Sequence, residues 1–329
     1  MASFRKRGDM WRAEVYKGGV RDSATFPTKR EAQEWAAKRE LELAESKETG
    51  VIPAKLSKVL EKYRDEVSPK NKGHRWERVR IDRFLKEEPD LCDKLIHTIT
   101  PKDLAAWRDR RLEVVQGVSV RRDIALLRTA WGYARREWRN LKVDPWPDVA
   151  KPPEGRHRDR IYTQAEIDRL VACLTWEEGA KAVNPRQQTA IVFLLSLETA
   201  MRSGEIVSLE WPQVDLKHQV VHLDKTKNGD KRAVPLSKRA VQLFDAVKGL
   251  DDTRVFTISH QSRDIHFRNA KEVAGITDAT FHDARATALT RLSKKLDILQ
   301  LARMVGHRDP RSLLIYYRES AADIAKQLG

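Results

Sequence analysis

Residues 189–206 read Thr189-Ala-Ile-Val-Phe-Leu-Leu-Ser-Leu197 and then Glu198-Thr-Ala-Met-Arg202-Ser-Gly-Glu205-Ile206. The first half is a near-continuous apolar run without alternation, which predicts a helix buried on all sides. An arginine at the mouth of such a helix is costly to bury alone, and Glu205, three residues on, is placed to orient it. The surrounding elements follow by local rules. Thr163-Gln-Ala-Glu166 is a capping box that opens a helix through Leu174. Val220–Leu223 and Arg232–Pro235 read as strands joined across Asn228-Gly229, a turn that needs positive φ, with Lys227 beside it. Ser237 caps a helix to Val247, and further helices are expected over about 280–294, 297–305 and 310–317. His282 and Arg285, spaced i, i+3 behind Thr280, share one helix face. The Asp297/Gln300 box opens the next helix, Gly306 ends it, and His307 follows. Asp309-Pro310 starts the element that carries Tyr316, nine residues beyond His307.

Outside this segment two others separate by pattern. In residues 1–50, Trp11, Ala13 and Val15 alternate with Arg12, Glu14 and Tyr16, which marks a strand. Gly18-Gly19 supplies a turn, a second strand runs through Thr25-Phe26, and Thr28–Glu31 is a capping box for a helix to about Ser46. Gly50–Pro53 reads as a linker. Residues 52–150 are helical: Leu56, Val59, Leu60 and Tyr63, then Trp76, Val79, Ile81, Phe84 and Leu85, recur at helix spacing. Thr100-Pro101 starts one helix, and another runs from about Ser119 to Trp138. Pro145, Pro147, Pro152 and Pro153 make Asp144–Arg160 a second linker, before a segment spanning 160–329.

The 329 residues carry 63 Lys and Arg against 48 Asp and Glu, a net charge of +15. That excess favours a polyanion, nucleic acid ahead of a membrane surface. The charge is patchy: net +5 over residues 1–30, −3 over 31–50 and +6 over 101–160. Arg121, Arg122, Arg128, Arg135 and Arg136 crowd one predicted helix and are candidate phosphate contacts, as are Arg5, Arg7, Arg12 and Arg21 in the small sheet. The two cysteines, Cys92 and Cys173, form no metal-type cluster, and no apolar run is long enough to span a membrane. A secreted scaffold, a transmembrane protein and a zinc finger are excluded on this reading, and a reducing cytoplasm is expected.

Arg202…Lys227…His282-x-x-Arg285…Gly306-His307…Tyr316, with the last gap nine, resembles the catalytic domain of the tyrosine recombinases, the phage-type integrases. Residues 1–50 resemble their arm-type DNA-binding domain and 52–150 their core-binding domain. The resemblance implies a mainly α, α+β fold: an N-terminal three-stranded sheet plus helix, a helical bundle, and an α-rich catalytic domain at 160–329 with a small sheet. It further implies a C-shaped clamp on double-stranded DNA at core and arm sites, a homotetramer on DNA, DNA-bending accessory proteins, and a cytoplasmic, nucleoid-associated location. Arg202 and Arg285 would clamp the phosphate, His282 act as acid/base, His307 hydrogen-bond the phosphate, Lys227 protonate the leaving 5′ oxygen, and Tyr316 attack. No cofactor or metal is required. Ala200 and Ala284 depart from the family pattern at what read as packing positions, and Tyr317 adjoins the nucleophile. The competing readings are a non-catalytic DNA-binding protein and a type IB topoisomerase.

Overall fold

The computed structural model describes residues 2–17, 20–155, 158–224 and 231–317. Lys227 and the Gly18-Gly19 and Asn228-Gly229 turns lie outside the described residues, as does the tail from Arg318. The chain divides into two units, Met1–Arg156 and His157–Gly329.

The first unit opens with an antiparallel meander, β1 (Ala2–Arg7), β2 (Met10–Lys17) and β3 (Val20–Phe26), followed by α1 (Lys29–Thr49). Thr28 and Glu31 exchange side-chain-to-backbone bonds at 3.2 Å and start α1 as a capping box. Ala13 and Val15 bury one sheet face against Ala32 and Ala36 of that helix. Small residues at these four positions let helix and sheet approach closely.

A separate core belongs to the helices α2 (Leu56–Lys62), α3 (His74–Glu87), α4 (Pro89–Asp93), α5 (Pro101–Val114) and α6 (Gly117–Arg136). Both stretches read as linkers turn out to be anchored here. Ile52 donates its N–H to the Arg139 carbonyl at 2.7 Å and accepts from Asn140 at 2.7 Å, and Val51 and Pro53 are buried. Trp146, 1% exposed, packs edge-on against Trp107 and Trp131. The prolines around it break the helix without releasing the chain, because the indole belongs to the core. Trp76 and Val79, grouped by spacing with the apolar stripe of α3, are exposed. They sit about 140° and 160° around the helix from buried Ile81, off the stripe that Ile81 and Phe84 form.

In the second unit α8 (Pro185–Thr199) is the buried helix, following α7 (Gln164–Cys173). Next come α9 (Ser203–Val207), an antiparallel sheet of β4 (Val214–Asp215), β5 (Val220–Leu223) and β6 (Arg232–Pro235), and α10 (Lys238–Val247). α11 (His260–Val273), α12 (Asp283–Leu292), α13 (Ile298–Val305) and a 3-10 turn at Pro310–Tyr316 complete it. α8 packs against α10, α11 and α12, so every side of it is covered. α11 was not anticipated: its charged residues dilute an inward stripe reduced to Phe267, Ala270 and the buried Arg263. α12 begins three residues later than expected, because Asp283 reaches back to the Thr280 N–H at 2.7 Å and His282 occupies the cap position.

One polar group organises the helical core of the first unit. Asp123 on α6 is 5% exposed and accepts from Arg80 and from Arg83 at 2.7 Å, with Arg111 at 3.5 Å. Asp123→Ala leaves these guanidiniums crowded around an uncompensated cavity and should cost about 3 kcal/mol. Urea unfolding followed by tryptophan fluorescence checks this; an unchanged midpoint would show the cluster to be dispensable.

Candidate active site

Arg202 sits immediately before α9, whose first turn supplies its partner. Its Nη1 donates to Glu205 Oε1 at 3.0 Å, and its backbone N–H donates to Oε2 at 2.9 Å. The carboxylate thus caps the helix and holds the guanidinium together. Arg232, which opens β6, grips the same carboxylate with two parallel bonds of 3.1 and 2.6 Å. Burial alone would push the Glu205 carboxyl up, but Arg232 and Arg202 bring it below the usual carboxylate range.

Arg285 lies in the first turn of α12 and is 4% exposed. It donates to the Ala200 carbonyl and, through Nη2, to the Val305 carbonyl at 3.2 Å, with His307 Nε2 at 3.4 Å. Burial and then the charge of Arg202 pull this guanidinium down to about 10, still protonated at neutral pH. The Ala200 carbonyl is presented by a backbone at φ +54°, the left-handed cap of α8. Ala200 is therefore constrained by its backbone as well as by packing, which corrects the reading of it as a packing position alone. Left-handed geometry costs a non-glycine residue about 1–2 kcal/mol.

His307 follows Gly306, the left-handed cap of α13. Ser312 spends its one proton on the Asp309 carbonyl at 2.8 Å, so at 2.7 Å it accepts from His307 Nδ1–H. This pattern assigns the tautomer and turns the Nε2 lone pair toward Arg285. His282 caps α12 beside buried Asp283, which Arg158 and Thr280 hold. Burial, then Arg285, lowers the affinity of both imidazoles for a proton; Arg202 adds to this at each, Arg232 at His307, and Asp283 opposes it at His282.

Tyr316 is half-buried. Burial raises its phenol while the charge of Arg285 opposes the rise. Tyr317 is engaged elsewhere, its hydroxyl donating to the Leu296 carbonyl at 2.8 Å. Ser293 holds the Tyr316 carbonyl at 2.8 Å, which fixes the end of the 3-10 turn.

The description "Phage integrase family" matches residues 162–323. A Haemophilus influenzae protein that carries the name integrase/recombinase is 34% identical over 298 residues, covering 89% of this chain and 96% of that protein. The chain belongs to the phage integrase family. With it the chain joins the tyrosine-type site-specific recombinases. A shufflon-specific DNA recombinase of Escherichia coli is 33% identical over 283 residues, covering 83% of this chain and 71% of that protein. Among solved folds, a lambda integrase dimer bound to a COC' core site superposes at a TM-score of 0.69 with 16% identity, covering 96% of each chain. The Tn1549 transposon integrase in complex with circular intermediate DNA gives 0.64 with 17% identity, covering 84% of this chain and 99% of that one.

In this integrase Arg202 bonds Glu205 and Arg285 reaches His307 at 3.4 Å, with Arg202, His282 and Tyr316 within electrostatic reach of Arg285. Arg232 and Ser312 were missed. The signal for Arg232 was its parity: it shares the inward face of β6 with Val234. Ser312 had none, because its contact with His307 depends on how the 3-10 turn folds back.

The basic candidates of the first unit fall into two groups. Arg5, Arg7, Arg12 and Arg21 share the sheet face opposite α1, as the strand register places them. Arg12 donates to Ser23 at 3.0 Å, and Arg21 pairs with Glu14 at 2.5 Å. Arg121, Arg122, Arg128, Arg135 and Arg136 line a cleft of about 860 Å³ along α6, where Arg121 pairs with Glu154.

Lowered imidazole affinity predicts that His282 and His307 both titrate below about 6.5 in the DNA-free protein. Neutral in the fold, they contribute stability that is complete above that pH and is lost as pH falls through their folded midpoints. Imidazole C–H shifts followed by NMR against pH measure this; a midpoint at or above 6.5 would contradict the geometry.

Proposed function

We propose that this integrase cleaves and rejoins double-stranded DNA through a 3′-phosphotyrosyl intermediate, with Tyr316 as nucleophile. The observation that carries the reading is the convergence of Arg202 and Arg285 on His307, with the Tyr316 phenol within electrostatic reach of Arg285. A phosphodiester gains negative charge as it becomes pentacoordinate, and pre-placed guanidiniums stabilise that gain without reorganising. The Tyr316 oxygen bonds to phosphorus and the bond to the 5′ oxygen breaks. His282, neutral in the free protein, takes the phenol proton, and Lys227 supplies a proton to the departing 5′ oxygen. His307, once protonated against the phosphate, donates from Nε2. The phosphotyrosyl bond conserves the energy of the broken one, so the reverse attack reseals the strand.

The arginine face of the β1–β3 sheet is assigned to arm sites and the α6 cleft to the core duplex, where several phosphates are neutralised at once. These assignments make 1–50 an arm-type domain, 52–150 a core-binding domain and 160–329 the catalytic domain. Strand exchange between two duplexes needs four active sites, which implies a tetramer on DNA, with DNA-bending proteins assisting and a mobile element as the cargo.

Tyr316→Phe should abolish the covalent adduct on a suicide duplex while leaving binding intact, and Tyr317→Phe should retain the adduct. Arg202→Ala or Arg285→Ala should slow cleavage by about 10²-fold or more, far beyond any loss of affinity. Single-turnover cleavage beside gel shifts makes the comparison; an adduct that survives Tyr316→Phe refutes the assignment.

A further inference from the structure

The side chain of Arg232 is buried although it carries a full charge. It is 6% exposed, and each of its three guanidinium nitrogens donates to a protein acceptor: Nη1 and Nη2 to the two Glu205 oxygens and Nε, at 3.1 Å, to the Met304 carbonyl. Those acceptors belong to different elements. Glu205 is the α9 carboxylate that holds Arg202, and Met304 is in the last turn of α13, three residues before His307. Arg232 itself opens β6, the strand that follows the segment containing Lys227. The chain also makes room for it. A Cβ at position 306 would stand 3.0 Å from Arg232 Cδ, and Gly306 adopts φ +71°. Glycine is required there both by the backbone and by the guanidinium stacked upon it.

We propose that Arg232 is a positioning residue for strand cleavage, which keeps Arg202 and His307 in one register by tying α9, the end of α13 and β6 together. The proposal rests on the assignment of Arg202 and His307 to the scissile phosphate made above. Two physical effects follow from the bonds. Arg232 occupies Glu205 in bidentate fashion, so that this carboxylate cannot close fully around Arg202 and neutralise it. It also adds a fixed positive charge beside His307, which favours the neutral imidazole. A lysine can keep the charge, but it lacks the rigid planar fork that serves two carboxylate oxygens and a carbonyl together.

The test uses the full chain carrying Arg232→Met or Arg232→Lys, with the fold checked by circular dichroism. Three quantities are read: affinity for a core-site duplex, the single-turnover rate of adduct formation, and the NMR titration midpoint of His307. Arg232→Met should bind with unchanged affinity, cleave about 10²-fold more slowly, as misplacement of catalytic groups does, and show a raised His307 midpoint. Arg232→Lys should keep the His307 midpoint near that of the wild type yet leave cleavage impaired. A folded Arg232→Met that cleaves at the wild-type rate overturns the proposal, and so does full rescue by lysine, which would reduce the role to charge. If the methionine variant fails to fold, the lysine variant decides alone. If the wild type itself forms no adduct, the recombination reading fails, while the His307 midpoint in the two variants still decides whether Arg232 sets that imidazole.

Discussion

In the second unit Arg202 and Arg232 bond to the single carboxylate of Glu205, and Arg285 lies within its electrostatic reach. Like charges gathered in a partly dry place repel, and the lowered proton affinity of Arg285 records that repulsion together with its burial. The fold tolerates the imbalance because acceptors meet each donor set: backbone carbonyls of Ala200 and Val305 for Arg285, and Glu205 with Met304 for Arg232. What remains is an excess of positive charge aimed at one place. Under the proposed reaction, a DNA phosphate approaching the transition state is the anion that this charge would stabilise.

The architecture follows from holding this imbalance. α8 is covered on every side, so its left-handed end at Ala200 is a rigid platform from which a carbonyl reaches Arg285 and the chain turns to Arg202. Gly306 does the same at the end of α13, presenting a carbonyl from Val305 and then His307. The C-termini of α8 and α13 and the N-termini of α9 and α12 therefore carry the candidate site, and the sheet joins α9 and α13 through Arg232. Among the described residues, each candidate side chain is carried at or near the end of an element rather than its middle, where caps and turns aim side chains.

Much of this was legible in the residues alone. The apolar run at 189–197 and the boxes at Thr163 and Asp297 are local patterns, and each became a local structure. What escaped depended on contacts distant in sequence. Trp146 looked like linker because its prolines were read before its indole, which packs on Trp107 and Trp131. α11 was hidden by its charges, and Arg232 by its sequence distance from Glu205, which only the closed sheet brings within 2.6 Å. The nine-residue gap from His307 already favoured Tyr316 over Tyr317, and the fold adds that the Tyr317 hydroxyl donates to the Leu296 carbonyl.

The central claim is that this charge excess directs one phenol at phosphorus. Peptide mapping of the trapped protein–DNA adduct tests it most directly. Trypsin should release the DNA-linked fragment that begins at Ser312 and ends at Arg318, and fragmentation should place the phosphate on Tyr316. A linkage on Tyr317, or on any residue outside that fragment, would contradict the account.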